Sequence, residues 1–445
     1  MSDYKTPGVY VEEKKVLASS VAGVSTAVPA FIGYTQTAGV NNSLYYQPTK
    51  VKNLTEYVSY YGIAPDTEIT VKVEAETIVG VEFPDTVANM YYSMQMFFNN
   101  GGESCYIVAL NPADATAEKQ RFTAALDALK LEDEPTLIIL VDGVNLASAD
   151  YYSLCQQVLL QCQTMKDRFA IFDVIDSGTG TVDADALAFR NGIGDSYLSY
   201  GAAYYPYLQT TLTYQFSDTS VKVVEGDETV TLGSLYTLKN AFYNNIINKI
   251  KSYYLTLPPS AVVAGLYASV DRDRGVWKAP ANVSFASVSG PSRKLTQQEN
   301  DGLNVETDKG KSINAIRSFS GKGTLIWGAR TLAGNDNEWR YVSVRRLFNY
   351  IEESIQKSTA YAVFEPNTAM TWLKLRSMVE SFLESLWRQG ALAGSTAEDA
   401  FFVQVGLGTT MTSDDILNGK LIIKVGVAAM RPAEFIILEF THKTQ

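Results

Sequence analysis

Between residues 105 and 208 the chain alternates continuous apolar runs with helical stretches. The runs fall at 106–110, 136–141, 169–174 and 202–207, and the helical stretches at 117–130 and 149–166. Strands that are apolar on both faces and separated by helices predict a largely parallel sheet covered on both sides. The pattern changes at 214–232, where alternating residues flank Glu225-Gly226-Asp227 and predict an outward-projecting β-hairpin. Helical periodicity resumes over 235–254 and is stopped by Pro258-Pro259. Upstream, a helix predicted over 87–99 ends at Asn99-Asn100-Gly101-Gly102, a strong stop signal.

Beyond Gly310 the pattern becomes amphipathic. Val344, Leu347, Phe348, Ile351 and Ile355 share one stripe of a helix predicted over 342–357, with Arg345 and Arg346 at its margin. Leu375, Met378, Val379, Phe382 and Leu386 do the same over 371–388, where Lys374, Ser377, Ser381 and Arg388 line the opposite face. Gly390 ends that helix. Strand signals follow at 400–406, 420–427 and 433–441, the last apolar on both faces through Phe435, Ile436, Ile437, Leu438 and Phe440. Near the other end, Gly8, Val9, Tyr10, Val11 and Glu12 form an equally isolated strand signal. Strands so short cannot stand alone. Each either pairs inside its own subunit or adds to a neighbour's sheet.

The 445 residues suffice for about three domains, and 46% hydrophobic with 19% charged residues is a globular composition. The longest apolar runs are far shorter than a membrane-spanning helix needs, and the opening MSDYKTPGVY carries no apolar export signal, so synthesis and assembly in the cytoplasm are expected. A net charge of −11 argues against a nucleic-acid partner for the chain as a whole. The charge is uneven: residues 309–388 hold 12 Lys and Arg against 7 Asp and Glu. That stretch reads either as solvated basic helix faces or as a surface for an acidic protein partner.

Catalytic and ligand chemistry finds little to stand on. The one histidine, His442, lies three residues from the C-terminus, and Cys155 and Cys162, two turns apart on one helix, read as buried core thiols; with Cys105 they are too few for a disulfide framework, which fits synthesis in a reducing cytoplasm. The stretch SGKGT at 320–324 fails the phosphate-loop pattern, because Ile316 and Gly323 occupy positions that need Gly and Ser or Thr. Gly178-Thr179-Gly180 lacks the third glycine of a dinucleotide fingerprint. No catalytic, metal or cofactor site is expected, which leaves binding and assembly.

Several separated segments carry a resemblance. They include TPGVYVEE (6–13), TAVPAFIGYT (26–35), NNGGESCYIVAL (99–110), PPSAVVAGLYASVDRDRGVWKAPAN (258–282), IRSFSGKGTLIWGARTLAGNDNEWRYVSVRRLFNYIEESI (316–355), GALAGSTAEDAFFVQVG (390–406) and RPAEFIILEF (431–440). In these the chain resembles the sheath proteins of contractile phage tails and contractile injection systems. Residues 37–89 and the hairpin near Glu225 match no pattern of that family, as suits variable outer parts.

The resemblance implies a structural machine and not an enzyme. The implied fold is mixed α/β and multi-domain: an N-terminal arm and linker (1–20), a part with a variable outer region (21–100), an inserted α/β domain (101–257), and a C-terminal core (258–445). Subunits would stack as six-fold rings around an inner tube protein, capped by baseplate and terminal proteins, with sister sheath isoforms as further partners and a membrane met only through the driven tube. The resemblance implies that the strands at Gly8–Glu12 and Phe435–Phe440 are exchanged between subunits. It also implies that the C-terminal helices face the tube, with Lys374, Arg376 and Arg388, then Arg345 and Arg346, as contacts. For Arg345 and Arg346 the alternative is an intramolecular bridge to Glu352, Glu353 or the acidic loop at 336–338. The favoured setting is an injection particle released from its producer, because the opening YKTPGVYVEE and TAVPAFIGYT resemble those systems; a phage virion is the alternative, with an α/β enzyme in 105–208 as the reading from another class.

Overall fold

The computed structural model of the protein describes residues 21–84 and 88–434. They fall into two compact units, one made of residues 24–353 with 430–434, the other of 21–23 with 354–429. The exchanged-strand residues Gly8, Val9, Tyr10, Val11, Glu12, Phe435, Ile436, Ile437, Leu438 and Phe440 lie outside the described residues, as does His442.

The larger unit is organised by an eight-stranded sheet. Its order is Gly323–Ile326, Ile313–Phe319, Gly201–Tyr205, Phe169–Asp173, Leu137–Leu140, Pro29–Tyr34, Cys105–Leu110 and Thr49–Val51. The inner strands all run parallel, and the two edge strands are antiparallel to their neighbours. The expected parallel sheet is therefore present, but it draws on more of the chain than residues 101–257. Pro29–Tyr34 is an interior strand because Ala30, Phe31 and Ile32 have no exposed surface and must be covered on both faces.

Both faces are covered. On one, Ala30 and Ile32 share a core with Phe122 and Leu126 of helix Glu118–Leu129, Leu154 and Val158 of helix Ser148–Met165, and Phe189 of helix Val182–Gly192. On the other, Phe31 meets Phe97 of helix Met90–Asn99 and joins Val263 and Tyr267 of helix Ser260–Arg274 in one core. These two helices approach so closely that a Cβ at Gly265 would lie 2.6 Å from the Phe97 carbonyl oxygen.

The hairpin Val221–Glu225 and Glu228–Thr231 forms where the alternation places it, around Gly226 in the left-handed region. It does not project alone. Val221–Glu225 pairs in parallel with Ile69–Glu74, so the hairpin and Ile69–Glu74 with Thr77–Glu82 make one four-stranded sheet. Helix Asn240–Lys251 covers it through Phe242, Ile246 and Ile250. The helix expected over 235–254 is divided into Leu232–Leu238 and Asn240–Lys251 and ends early. Residues Tyr254–Leu257 are a strand instead, alternately exposed and buried, paired with Leu208–Thr213.

In the smaller unit, helix Ala369–Arg388 buries Leu375, Met378, Val379, Phe382, Leu383 and Leu386, as its periodicity predicts. Gly390 follows it with φ 82°, a backbone that favours glycine. Phe401–Gln404 and Lys424–Val427 form a two-stranded antiparallel ribbon. Helix Val342–Thr359 begins in the larger unit and ends in the smaller.

Candidate assembly surfaces and closed ligand positions

A doubly wound sheet binds ligands beyond the carboxyl ends of its strands, at the point where strand order reverses. Here that point lies beside Pro29–Tyr34, flanked by Cys105–Leu110 on one side and Leu137–Leu140 on the other. Asp142, just past Leu137–Leu140, fills it. Its Oδ2 accepts from the Tyr34 N–H at 2.8 Å and its Oδ1 from the Asn89 N–H at 2.8 Å. Gly33 admits this approach, since a Cβ there would lie 2.5 Å from Asp142 Oδ2.

The next strand repeats the device. Asp173 receives the Ser260 N–H at 2.7 Å and the Ser260 hydroxyl at 2.6 Å, occupying the N-terminus of helix Ser260–Arg274 with the protein's own carboxylate. Burial pushes Asp142 up to about 6 and Asp173 up to about 7, against the lowering effect of the hydrogen bonds each accepts. The carboxylates close these positions from inside. Cys105, Cys155 and Cys162 are free and buried, as expected for the pair on the helix, and burial pushes their thiols up. Among the described residues no group of three or more His, Cys, Asp or Glu is arranged to hold a metal, and no helix is long and apolar enough to cross a membrane.

The basic residues divide into two sets. Arg346 is buried and takes both oxygens of Asp271, at 3.0 and 2.5 Å, while Nη2 also donates to the Thr26 carbonyl at 2.9 Å. Arg345 is buried too. Its guanidinium lies 4.0 Å from the Trp339 ring centre and 4.7 Å from that of Tyr200, its Nε donates to Asn349 Oδ1 at 2.9 Å, and its Nη2 lies 3.7 Å from Glu352. These two arginines are thus corrected from tube contacts to internal ties, with Glu352 an anticipated partner that Arg345 meets. Their position at the margin of the apolar stripe is the reason: the stems lie along the core and carry the charge inward to Asp271 and the aromatic rings.

Lys374, Arg376 and Arg388 are exposed on helix Ala369–Arg388. Arg376 pairs with Glu380 at 2.7 Å and Arg388 with Glu384 at 2.5 Å, one turn along the same helix. Such exposed pairs are worth about 0.3–0.5 kcal/mol and yield readily to another partner. Around them the smaller unit exposes apolar side chains whose extent the periodicity did not reveal: Leu373 is 60% exposed, Phe402 52% and Leu417 83%. The ribbon Phe401–Gln404 and Lys424–Val427 has, among the described residues, only its own pairing and a bridge between Leu392 and Ala429 beside it. Two strands fall short of an independently stable sheet.

Comparison with known proteins identifies the family. Residues 115–332 match the phage tail sheath protein central domain, and residues 334–443 match the phage tail sheath C-terminal domain. The sheath complex of PVC, an extracellular contractile injection system, in its contracted state is 32% identical over 100% of this chain and 99% of that one, with a TM-score of 0.69. The chain belongs to the tail sheath protein family. The family is structural and not enzymatic. A second solved relative of this sheath protein is a chain of the anti-feeding prophage (AFP) baseplate in its contracted state, 30% identical over 99% of both chains with a TM-score of 0.72. The tail sheath protein of Enterobacteria phage T4 is 25% identical over 161 residues, 36% of this chain and 24% of that protein. That of Burkholderia phage BcepMu is 31% identical over 145 residues, 32% of this chain and 30% of that protein. This sheath protein thus aligns with about a quarter to a third of the length of its curated phage relatives.

Proposed function

We propose that this sheath protein is the contractile subunit of an extracellular injection particle. It polymerises as stacked six-fold rings around an inner tube and shortens to drive that tube through a target envelope. The observation that carries the reading is likeness over the whole chain, at 30–32% identity, to subunits of the PVC and AFP particles. The phage tail is the second reading, favoured by relatives that match over about a third of the chain. Capsid genes beside its own gene decide for the phage, and an adjacent ATPase with toxin cargo decides for the injection particle.

In this reading the subunit is assembled in the producer, released within the particle, and joined to its copies, the tube, the baseplate and a terminal cap. The strands Gly8–Glu12 and Phe435–Phe440 are donated to neighbours, and the open ribbon Phe401–Gln404 and Lys424–Val427 is a fitting acceptor. Each backbone hydrogen bond so formed adds about 0.5–1.5 kcal/mol. Further burial between subunits in the shortened form, at about 25 cal/mol per Å², supplies the work, and the extended form is a kinetic trap. Lys374, Arg376 and Arg388 meet acidic groups of the tube by exchanging Glu380 and Glu384 for them. Negative-stain microscopy of the purified assembly tests the reading as a whole, with hollow striated sheaths around a tube as the expected image. A monodisperse subunit that never polymerises overturns it. Lys374→Glu combined with Arg388→Glu is expected to give sheaths that lose the tube or contract early, and normal extended particles overturn the assignment of that face.

A further inference from the structure

After the smaller unit the chain returns to the larger one at Met430, where the Glu434 carboxylate is held by several partners. Arg330 grips Glu434 with two bonds, Nε to Oε1 at 2.8 Å and Nη2 to Oε2 at 2.6 Å. Asn304 Nδ2 donates to Oε1 at 3.0 Å, and the Tyr341 hydroxyl donates to Oε2 at 3.1 Å. Both oxygens are therefore doubly held. The Arg330 side chain is 5% exposed and that of Glu434 20%, so this fork is far better shielded than the surface pairs of helix Ala369–Arg388. Burial pushes the Glu434 carboxyl up, but the hydrogen bonds and charge of its partners outweigh it and hold the group below the usual range.

Arg330 is itself immobilised. Its N–H donates to Asn314 Oδ1 at 2.8 Å, and its carbonyl accepts from Asn314 Nδ2 at 2.8 Å. Asn314 is fully buried on the parallel strand Ile313–Phe319, and its Nδ2 also donates to the Ala203 carbonyl of the adjacent strand at 3.2 Å. Tyr341 directly precedes helix Val342–Thr359. The last described residue is thus bonded, through Arg330 and Asn314, to a parallel strand of the eight-stranded sheet.

The geometry points to Glu434 as a positioning residue, the anchor that ties the C-terminal arm to the parallel sheet, so that tension on the arm passes through Arg330 and Asn314 into the strands. This rests on the proposed donation of the residues beyond it to a neighbour. The ribbon suited to accept such a strand belongs to the smaller unit, whereas the anchor belongs to the larger. Each link along the sheath then runs from the sheet of one subunit to the ribbon of the next. Release of the carboxylate leaves the donated strand seated but frees residues 430–434, which supply slack on the order of 15 Å at ~3.3–3.6 Å per residue. Slack of that size absorbs motion that a held root transmits.

Particles assembled from Glu434→Ala, Glu434→Gln and Glu434→Asp subunits test this. Alanine and glutamine particles are expected to assemble in extended form, with the fraction fully contracted after urea treatment reduced about tenfold, as suits loss of a charged hydrogen-bonded pair. Amide exchange over residues 430–434 should quicken by a similar factor in the soluble subunit. The aspartate variant, which keeps the charge, should recover most of both. Alanine and glutamine particles that contract like wild type overturn the anchor. Deletion of residues 435–445 separates the two claims: a deleted subunit that still builds sheaths removes the donated arm itself, whatever the anchor variants do.

Discussion

In the larger unit Arg168, Arg346, Asp142 and Asp173 point inward and each finds partners, whereas in the smaller unit Leu373, Phe402 and Leu417 leave half or more of their surface exposed. Arg168 has no exposed surface, pairs with Asp167 at 2.7 Å, and donates to the carbonyls of Leu129 and Glu132. One part of the chain spends its polar groups on holding itself together. The other leaves apolar surface and an unfinished sheet, features that gain stability when another chain covers them. Changes in the first should therefore act on the folded subunit, and changes in the second on assembly.

The largest effect on the subunit alone is expected for Arg346→Ala. It leaves Asp271 buried without its cation, at a cost of about 3–5 kcal/mol. Denaturant titration of the soluble subunit checks it, and a loss below about 1 kcal/mol would mean that Arg346 is not an internal tie. Next comes Asp142→Ala, which orphans the Tyr34 and Asn89 N–H groups, each costing about 1–3 kcal/mol. Asp142→Asn, which keeps one acceptor, should recover part of that loss.

Asp173→Asn should be milder, within about 1 kcal/mol near neutrality, because the amide still accepts the Ser260 N–H and can donate to its hydroxyl. Its signature is in the pH profile. The folded group is held up at about 7, above its unfolded value of 3.8, so the native state binds more protons between those limits. This group's contribution therefore weakens as pH rises from about 4 to about 7. Thermal midpoints recorded across that range should fall less steeply in the asparagine variant, and parallel wild-type and variant profiles would assign the slope elsewhere.

The smallest effect on the subunit belongs to Leu373→Ser with Leu417→Ser, within about 0.5 kcal/mol, since both side chains are mostly exposed. Yet sheath yield by sedimentation should drop. Unchanged yield would erase the contrast between the two units.

Local patterning made much of the sheet readable. Cys105–Leu110, Leu137–Leu140, Phe169–Asp173 and Gly201–Tyr205 fall within two residues of the apolar runs, because a strand buried on both faces has no polar position to confuse the reading. Pairing between distant segments was not readable. Nothing in residues 69–74 announces Val221–Glu225 as a parallel neighbour, since each strand presents only ordinary alternation to its own surroundings. Arg345 and Arg346 were misplaced for a related reason: periodicity locates a residue on a helix but not the Asp271 or Trp339 that faces it. Glu434 carried no signal of its own, being one more acidic residue in an apolar segment until Arg330 is brought beside it.

Both edges of the eight-stranded sheet are finished with antiparallel strands, and along its outer side Gly323–Ile326 accepts the N–H groups of Asn282 and Phe285 and donates the Ile326 N–H to the Val283 carbonyl. In the vocabulary of polymer chemistry, covering the outer side of Gly323–Ile326 removes a reactive end group. A subunit made in many copies at high local concentration must polymerise through chosen ends while its largest sheet stays inert, or growth becomes branching and precipitation. The capped sheet gives the monomer a low functionality, and a low functionality is what turns association into a filament of uniform diameter.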